Sequence, residues 1–315
     1  MTAVVINEVG LRDGLQNQAI AVSCADKLRL ARALVDAGVR SIEATSFVSP
    51  KAVPQMADAD QLFPLLPEKQ CVAYSALVPN VRGLERAQAA GVGEIAVVLS
   101  ATETMNRRNI NMSLDEAVAV CKQTIAEALK LGMRAKAYLA VAFSCPFEGP
   151  TPVERVMTLG DGMLAAGAQE ITIADTIGAA APTAVARLFK QCVAAWGEPR
   201  VSAHFHDTRA LAVANAWAAL EAGVRKFDAS IGGLGGCPFA PGAAGNAATE
   251  DLVLMLEQCG FSTGISVPKL REAVAIAGEL VQRKVGGRTT NWLEAEDLRR
   301  LREIEKQATT ESVRS

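Results

Sequence analysis

The chain has 315 residues, 50% hydrophobic and only 4% aromatic, with 32 Lys and Arg against 34 Asp and Glu. That apolar fraction excludes intrinsic disorder, and a net charge of −2 gives neither a basic field for nucleic acid nor a cationic face for a membrane. No apolar run nears the ~20 residues of a spanning helix, and the N-terminal stretch lacks the pattern of a secretory signal, so a cytoplasmic protein is expected.

Read along the chain, strand-like runs fall at 4–8, 41–44, 71–77, 94–99, 135–141, 171–174, 201–206 and 227–230. Helical patterns separate them, among them 23–37 with Ser23 as N-cap, 113–131, 183–195 and 211–222. One phrase recurs: a helix ends in a small or apolar residue plus Gly, and a strand follows within a few residues. It occurs at Ala37-Gly38, Ala90-Gly91, Leu131-Gly132, Ala166-Gly167 and Ala222-Gly223. Gly just past a helix end suits a left-handed C-cap, and the short link that follows is an αβ loop.

A prior of ~150 residues per domain suggests two domains. Eight alternating units point instead to one closed (β/α)₈ TIM barrel with additional C-terminal helices. Residues 1–286 are expected to hold the barrel and its helical extension, and 287–315 a charged segment, helical and then disordered. Gly10 and Gly14 are spaced wrongly for a dinucleotide-binding turn. Polar groups gather at the C-terminal strand ends, where a barrel assembles its active site: Glu8 with Arg12-Asp13, Glu43, Ser75, Ser100, Ser144, Asp175, His204 to Asp207, and Ser230.

Both of the chain's 2 histidines lie in His204-Phe205-His206. Residues two apart in a strand project to one side, so a same-face imidazole pair ends a barrel strand, and metal ligation is the favoured reading over a hydrogen-bonded core pair. With no third His and no Cys pair of zinc-finger spacing, further ligands must come from other strand ends, where Asp13 and Asn246 are candidates. Such a set favours six-coordinate Mg²⁺ or Mn²⁺ and leaves zinc open. Arg12 sits where a guanidinium can stabilise an oxyanion. The loop Gly232-Gly233-Leu234-Gly235-Gly236-Cys237-Pro238 reads as a linker, a phosphate cradle or a lid carrying a thiol. The other six of the 7 cysteines read mostly as core thiols. Metal, cation and thiol together fit carbon–carbon cleavage of a β-hydroxy acyl compound.

Motifs spread over the chain carry a resemblance. The run 9–17, Val-Gly-Leu-Arg-Asp-Gly-Leu-Gln-Asn, resembles the opening motif of 3-hydroxy-3-methylglutaryl-CoA lyases. So do 42–51, Asn109-Ile110-Asn111, Cys145 to Gly149, Asp175 to Gly178, His204 to Thr208, Gly235 to Phe239 and 245–253. The resemblance implies Asp13, His204, His206 and Asn246 as ligands of a divalent metal, Arg12 as the group stabilising the enolate, and Cys237 as the acid that protonates it. It implies Glu43 and Asp175 as active-site carboxylates, Glu250 as a support beside the loop, and Lys284 as a contact to the nucleotide end of CoA. Asp13 or a histidine is the implied base for the substrate hydroxyl.

The expected reaction is cleavage of 3-hydroxy-3-methylglutaryl-CoA to acetyl-CoA and acetoacetate. The alternatives are a lyase for another 3-hydroxy acyl-CoA, such as citramalyl-CoA, or a non-catalytic barrel that binds CoA esters. An acyl-CoA thioester is the expected partner, with neither nucleic acid nor membrane, in a homodimer or larger homo-oligomer. Leu11 replaces the usual Pro, Arg209-Ala210-Leu211 stands where Tyr-Gly-Gln is best known, and Phe147 and Phe239 stand where Tyr is common. These departures bear on which acyl group is taken.

Overall fold

The computed structural model describes residues 2–236 and 245–300. Eight strands form a closed parallel barrel: β1 (Val5–Glu8), β2 (Ser41–Ser46), β3 (Ala73–Leu77), β4 (Glu94–Ser100), β5 (Arg134–Ala140), β6 (Glu170–Asp175), β7 (Val201–Phe205) and β8 (Lys226–Ala229). Each pairs with its neighbour in sequence, and β8 closes on β1. The helices between and after them are α1 (Cys24–Asp36), α2 (Ala59–Leu65), α3 (Val81–Ala89), α4 (Glu103–Ile110), α5 (Leu114–Lys130), α6 (Val153–Ala165), α7 (Pro182–Trp196), α8 (Ala212–Glu221), α9 (Thr249–Gln258) and α10 (Val267–Leu280). The expected TIM barrel with C-terminal helices is therefore present.

Local chemistry explains the boundaries. The Ser23 hydroxyl accepts from the Asp26 amide and starts α1, and Ser113 with Glu116 forms a reciprocal capping box at α5. The five recurrent glycines all carry positive φ: Gly38 at 102°, Gly91 at 79°, Gly132 at 73°, Gly167 at 105° and Gly223 at 106°. β3 begins two residues later than the sequence pattern suggests, because the amides of Cys71 and Val72 turn back to the Glu68 carbonyl.

The two faces of the strands differ. Ile42, Ile95, Val97, Leu139, Ile171, Ile173, Ala203 and Phe227 are buried in the apolar layer that the helices cover. Asn7, Ser41, Asp228, His204, Thr172 and Tyr138 occupy the other face as register partners or residues one pleat apart. The Tyr138 hydroxyl on β5 donates to Asp228 on β8, three strands away, at 2.8 Å, so this second face lines the barrel interior. The interior is polar at this depth.

Residues 288–300 are helical. The Asp251 carboxylate caps this segment, accepting from the amides of Arg288 at 3.0 Å and Thr289 at 2.7 Å. The boundary expected at 286/287 thus falls inside a hydrogen-bonded stretch. Cys121, Cys145 and Cys192 are buried, Cys24 is half-buried, and Cys71 and Cys259 are exposed.

Candidate active site

β1 ends in a tight turn of π-helical hydrogen bonding over Gly10–Gly14, which carries Arg12 and Asp13 over the C-terminal mouth of the barrel. Arg12 is buried. Its Nε donates to Glu43 Oε1 at the middle of β2, and its Nη1 donates to Asp13 Oδ1 at 2.6 Å. From β7, His204 points inward and His206 follows one pleat beyond, their ring centroids 5.2 Å apart. One ligand atom each from Asp13, His204 and His206 lies within 4.8 Å of the others, the cluster of potential metal ligands found among the described residues.

Asn246 joins them from the loop after β8. Its backbone bridges to His206, and its Nδ2 donates to Asp13 Oδ2 at 2.8 Å and to the Leu234 carbonyl at 3.0 Å. The glycines around it permit this approach. A Cβ on Gly245 would stand 2.1 Å from the Gly233 carbonyl oxygen, and one on Gly235, whose φ is +133°, would stand 2.5 Å from Asn246 Nδ2.

The electrostatics suit a cation. Burial alone would raise the Asp13 carboxyl, but Arg12, the two histidines and the Asn246 hydrogen bond outweigh it and hold it well below the ordinary carboxylate range. Burial and the neighbouring His204 lower His206 to about 4, leaving a neutral imidazole. His206 Nδ1 and Asn246 Oδ1 are both buried without a hydrogen-bond partner. Two imidazoles, a carboxylate and an amide oxygen, with two lone-pair atoms unspent, fit a divalent cation.

The family model described as HMGL-like matches residues 3–276. The chain belongs to the HMGL-like family. It is similar to the hydroxymethylglutaryl-CoA lyase YngG of Bacillus subtilis (strain 168), at 44% identity over 270 residues, 86% of this chain and 90% of that protein. It is also similar to the hydroxymethylglutaryl-CoA lyase of Pseudomonas mevalonii, at 43% identity over 91% of this chain and 94% of that protein. Among solved structures, a Bacillus subtilis HMG-CoA lyase superimposes with a TM-score of 0.90 at 41% identity, covering 93% of this chain and 99% of that one. An HMG-CoA lyase from Acinetobacter baumannii in complex with coenzyme A and 3-methylmalate superimposes with a TM-score of 0.88 at 37% identity, covering 92% and 94%.

Within this HMGL-like barrel the residues singled out from sequence fall into three groups. Arg12, Asp13, Glu43, His204, His206 and Asn246 converge. Glu250, at the start of α9, accepts from the amides of Gly232 at 3.1 Å and Gly287 at 2.7 Å, so it ties the base of the glycine-rich loop to the C-terminal segment. Asp175 and Lys284 stand apart. Asp175 pairs in register with Phe205, one residue off the inward face, and its oxygens accept from the amides of Ala179 at 2.8 Å and Ala180 at 2.9 Å. Through these bonds it shapes the loop behind His206, within electrostatic reach of His204. Lys284 is exposed and paired with Glu294 at 2.8 Å. It lines a cleft of about 710 Å³ between α10 and the segment 288–300, with Arg271 and Arg283. Cys237 lies outside the described residues, as does Phe239.

Four residues not singled out by sequence, Asn7, Lys136, Tyr138 and Asp228, sit beneath the cluster. Asp228 accepts from His204 Nδ1 at 3.0 Å and from Asn7 Nδ2 at 2.7 Å as well as from Tyr138. Lys136 is buried with its Nζ 3.8 Å from Glu43 Oε2, an oxygen that has no hydrogen-bond partner. The available signal was strand parity. In Ala135 to Leu139, apolar residues alternate with Lys136 and Tyr138, and polar residues on the inward face of a barrel strand point at the site.

Proposed function

We propose that this chain cleaves 3-hydroxy-3-methylglutaryl-CoA to acetyl-CoA and acetoacetate. The observation that carries the reading is the meeting of a buried guanidinium, Arg12, with a carboxylate and two imidazoles at one mouth of the barrel. The similarity to hydroxymethylglutaryl-CoA lyases over most of the chain supports it.

A divalent cation, Mg²⁺ or Mn²⁺, held by Asp13, His204, His206 and Asn246, supplies Lewis-acid polarisation of the substrate hydroxyl when bound. Asp13 or one of the two histidines takes the hydroxyl proton as base. The carbon–carbon bond then breaks, its electron pair passing to the thioester as an enolate and the oxygen becoming the ketone of acetoacetate. Arg12 is fixed by Glu43 and Asp13, so its positive charge is in place before the enolate forms. Cys237 delivers the proton that completes acetyl-CoA. Lys284, at the cleft of about 710 Å³, is the contact to the nucleotide end of CoA. The working unit is a homo-oligomer.

Acyl choice is tested with a thioester panel. 3-Hydroxy-3-methylglutaryl-CoA is expected to turn over fastest, and faster citramalyl-CoA cleavage would reassign the substrate. Arg209, anchored to the Gly178 carbonyl at 3.1 Å on the same face, is the residue to exchange for Tyr in that panel.

A further inference from the structure

Asp228 is 4% exposed and sits on β8 at the centre of the polar interior. Its carboxylate meets donors from three other strands: Asn7 on β1 at 2.7 Å, Tyr138 on β5 at 2.8 Å and His204 on β7 at 3.0 Å. Asn7 is itself held by the Ser41 hydroxyl at 2.9 Å, so its amide nitrogen faces Asp228. The Tyr138 ring packs edge-on against His204, with centroids 6.1 Å apart and planes at 86°. His204 is therefore fixed by a hydrogen bond at one nitrogen and by an aromatic wall beside its ring. His206, by contrast, has a buried Nδ1 with no partner. One imidazole is preset and its neighbour is not.

From this asymmetry we propose that Asp228, oriented by Tyr138 and Asn7, is the positioning residue that sets the tautomer and ring orientation of His204. A carboxylate only accepts, so the short Nδ1 contact requires the proton on Nδ1. The Nε2 lone pair is then directed to the cluster that holds Asp13 and His206. The opposite tautomer would set a nitrogen lone pair against a carboxylate oxygen in a buried pocket and leave a proton where a ligand is needed. The inference rests on the metal site proposed above, and it adds a residue that makes no contact with substrate.

The test uses the whole chain labelled with ¹⁵N-histidine. Only 2 imidazoles contribute to the spectrum, and His206→Gln assigns them. In metal-free protein, above the pH at which the ring protonates, His204 is expected as the Nδ1–H tautomer; finding Nε2–H there overturns the inference without touching the metal reading. Titration with Mn²⁺ is the second arm. Asp228→Asn is expected to weaken binding roughly 10- to 100-fold, and Tyr138→Phe to weaken it by a smaller factor while keeping the wild-type thermal midpoint. Asp228→Glu is expected to recover part of the loss, as a purely structural role for the carboxylate would not require. If Asp228→Asn fails to fold, Tyr138→Phe and the wild-type tautomer decide. Equal Mn²⁺ affinity in folded Asp228→Asn and wild type overturns this inference alone, whereas wild type that binds no Mn²⁺ overturns it together with the metal site.

Discussion

The amide of Asn246 reaches the carboxylate of Asp13 at 2.8 Å although 233 positions separate them in the chain. The contact exists because β8 closes the barrel on β1, which brings the first and last βα loops side by side. The cluster is thus assembled by closure itself, and its ligands lie on both sides of the seam.

Removing a ligand should show that dependence. His206→Ala is expected to weaken Mn²⁺ binding at least ten-fold, and Asn246→Ala to weaken it as well, since each removes one donor atom from the set. Calorimetric titration checks both. Unaltered affinity in His206→Ala would move the metal to other residues.

Glu8 gives a pH prediction. It is fully buried, accepting from the amides of Gly10 and Ile231 at 2.7 and 2.9 Å and from the Thr249 hydroxyl, so one carboxyl ties the Arg12 turn to the base of the glycine-rich loop. Burial raises it from 4.5 to about 7, against those hydrogen bonds and with help from the charge of Glu250. The folded state therefore holds the proton more tightly than the unfolded chain. The contribution of Glu8 to stability is fully present below about pH 4.5 and is lost as pH rises through about 7, on the order of 3 kcal/mol in all. His206 acts oppositely: its pKa falls to about 4, so its contribution is lost as pH drops. Comparing Glu8→Gln with wild type isolates the first effect. Denaturant unfolding across this range should show the variant gaining on wild type as pH rises, and a constant difference would contradict the assignment.

How much of this was legible in the sequence follows from what each signal depends on. The barrel was readable because Gly38, Gly91, Gly132, Gly167 and Gly223 mark helix ends by backbone conformation alone, a local property. The converging ligands were readable because they lie at strand ends. Asp228 and Tyr138 were not, since their importance comes from facing each other across the barrel, which depends on closure and register. The hydrogen bonds of Asp175 to the Ala179 and Ala180 amides were not legible either, since they depend on the path of the loop after its strand. Parity is also hard to carry through β2, where the register shifts between Glu43 and Thr45.

Cys237→Ala separates the acid from the ligands. It is expected to lose most turnover while binding Mn²⁺ and substrate as wild type does, because no ligand is touched. Single-turnover assays beside the metal titration check it. Undiminished turnover would show that the thiol is incidental.

The most direct test of the central claim is acetyl-CoA release from 3-hydroxy-3-methylglutaryl-CoA by the purified chain, with Mg²⁺ or Mn²⁺ and after chelation. The arrangement of Arg12, Asp13, His204, His206 and Asn246 predicts release with stoichiometric acetoacetate that stops on chelation and returns when metal is restored. No release, or release indifferent to the chelator, would contradict it.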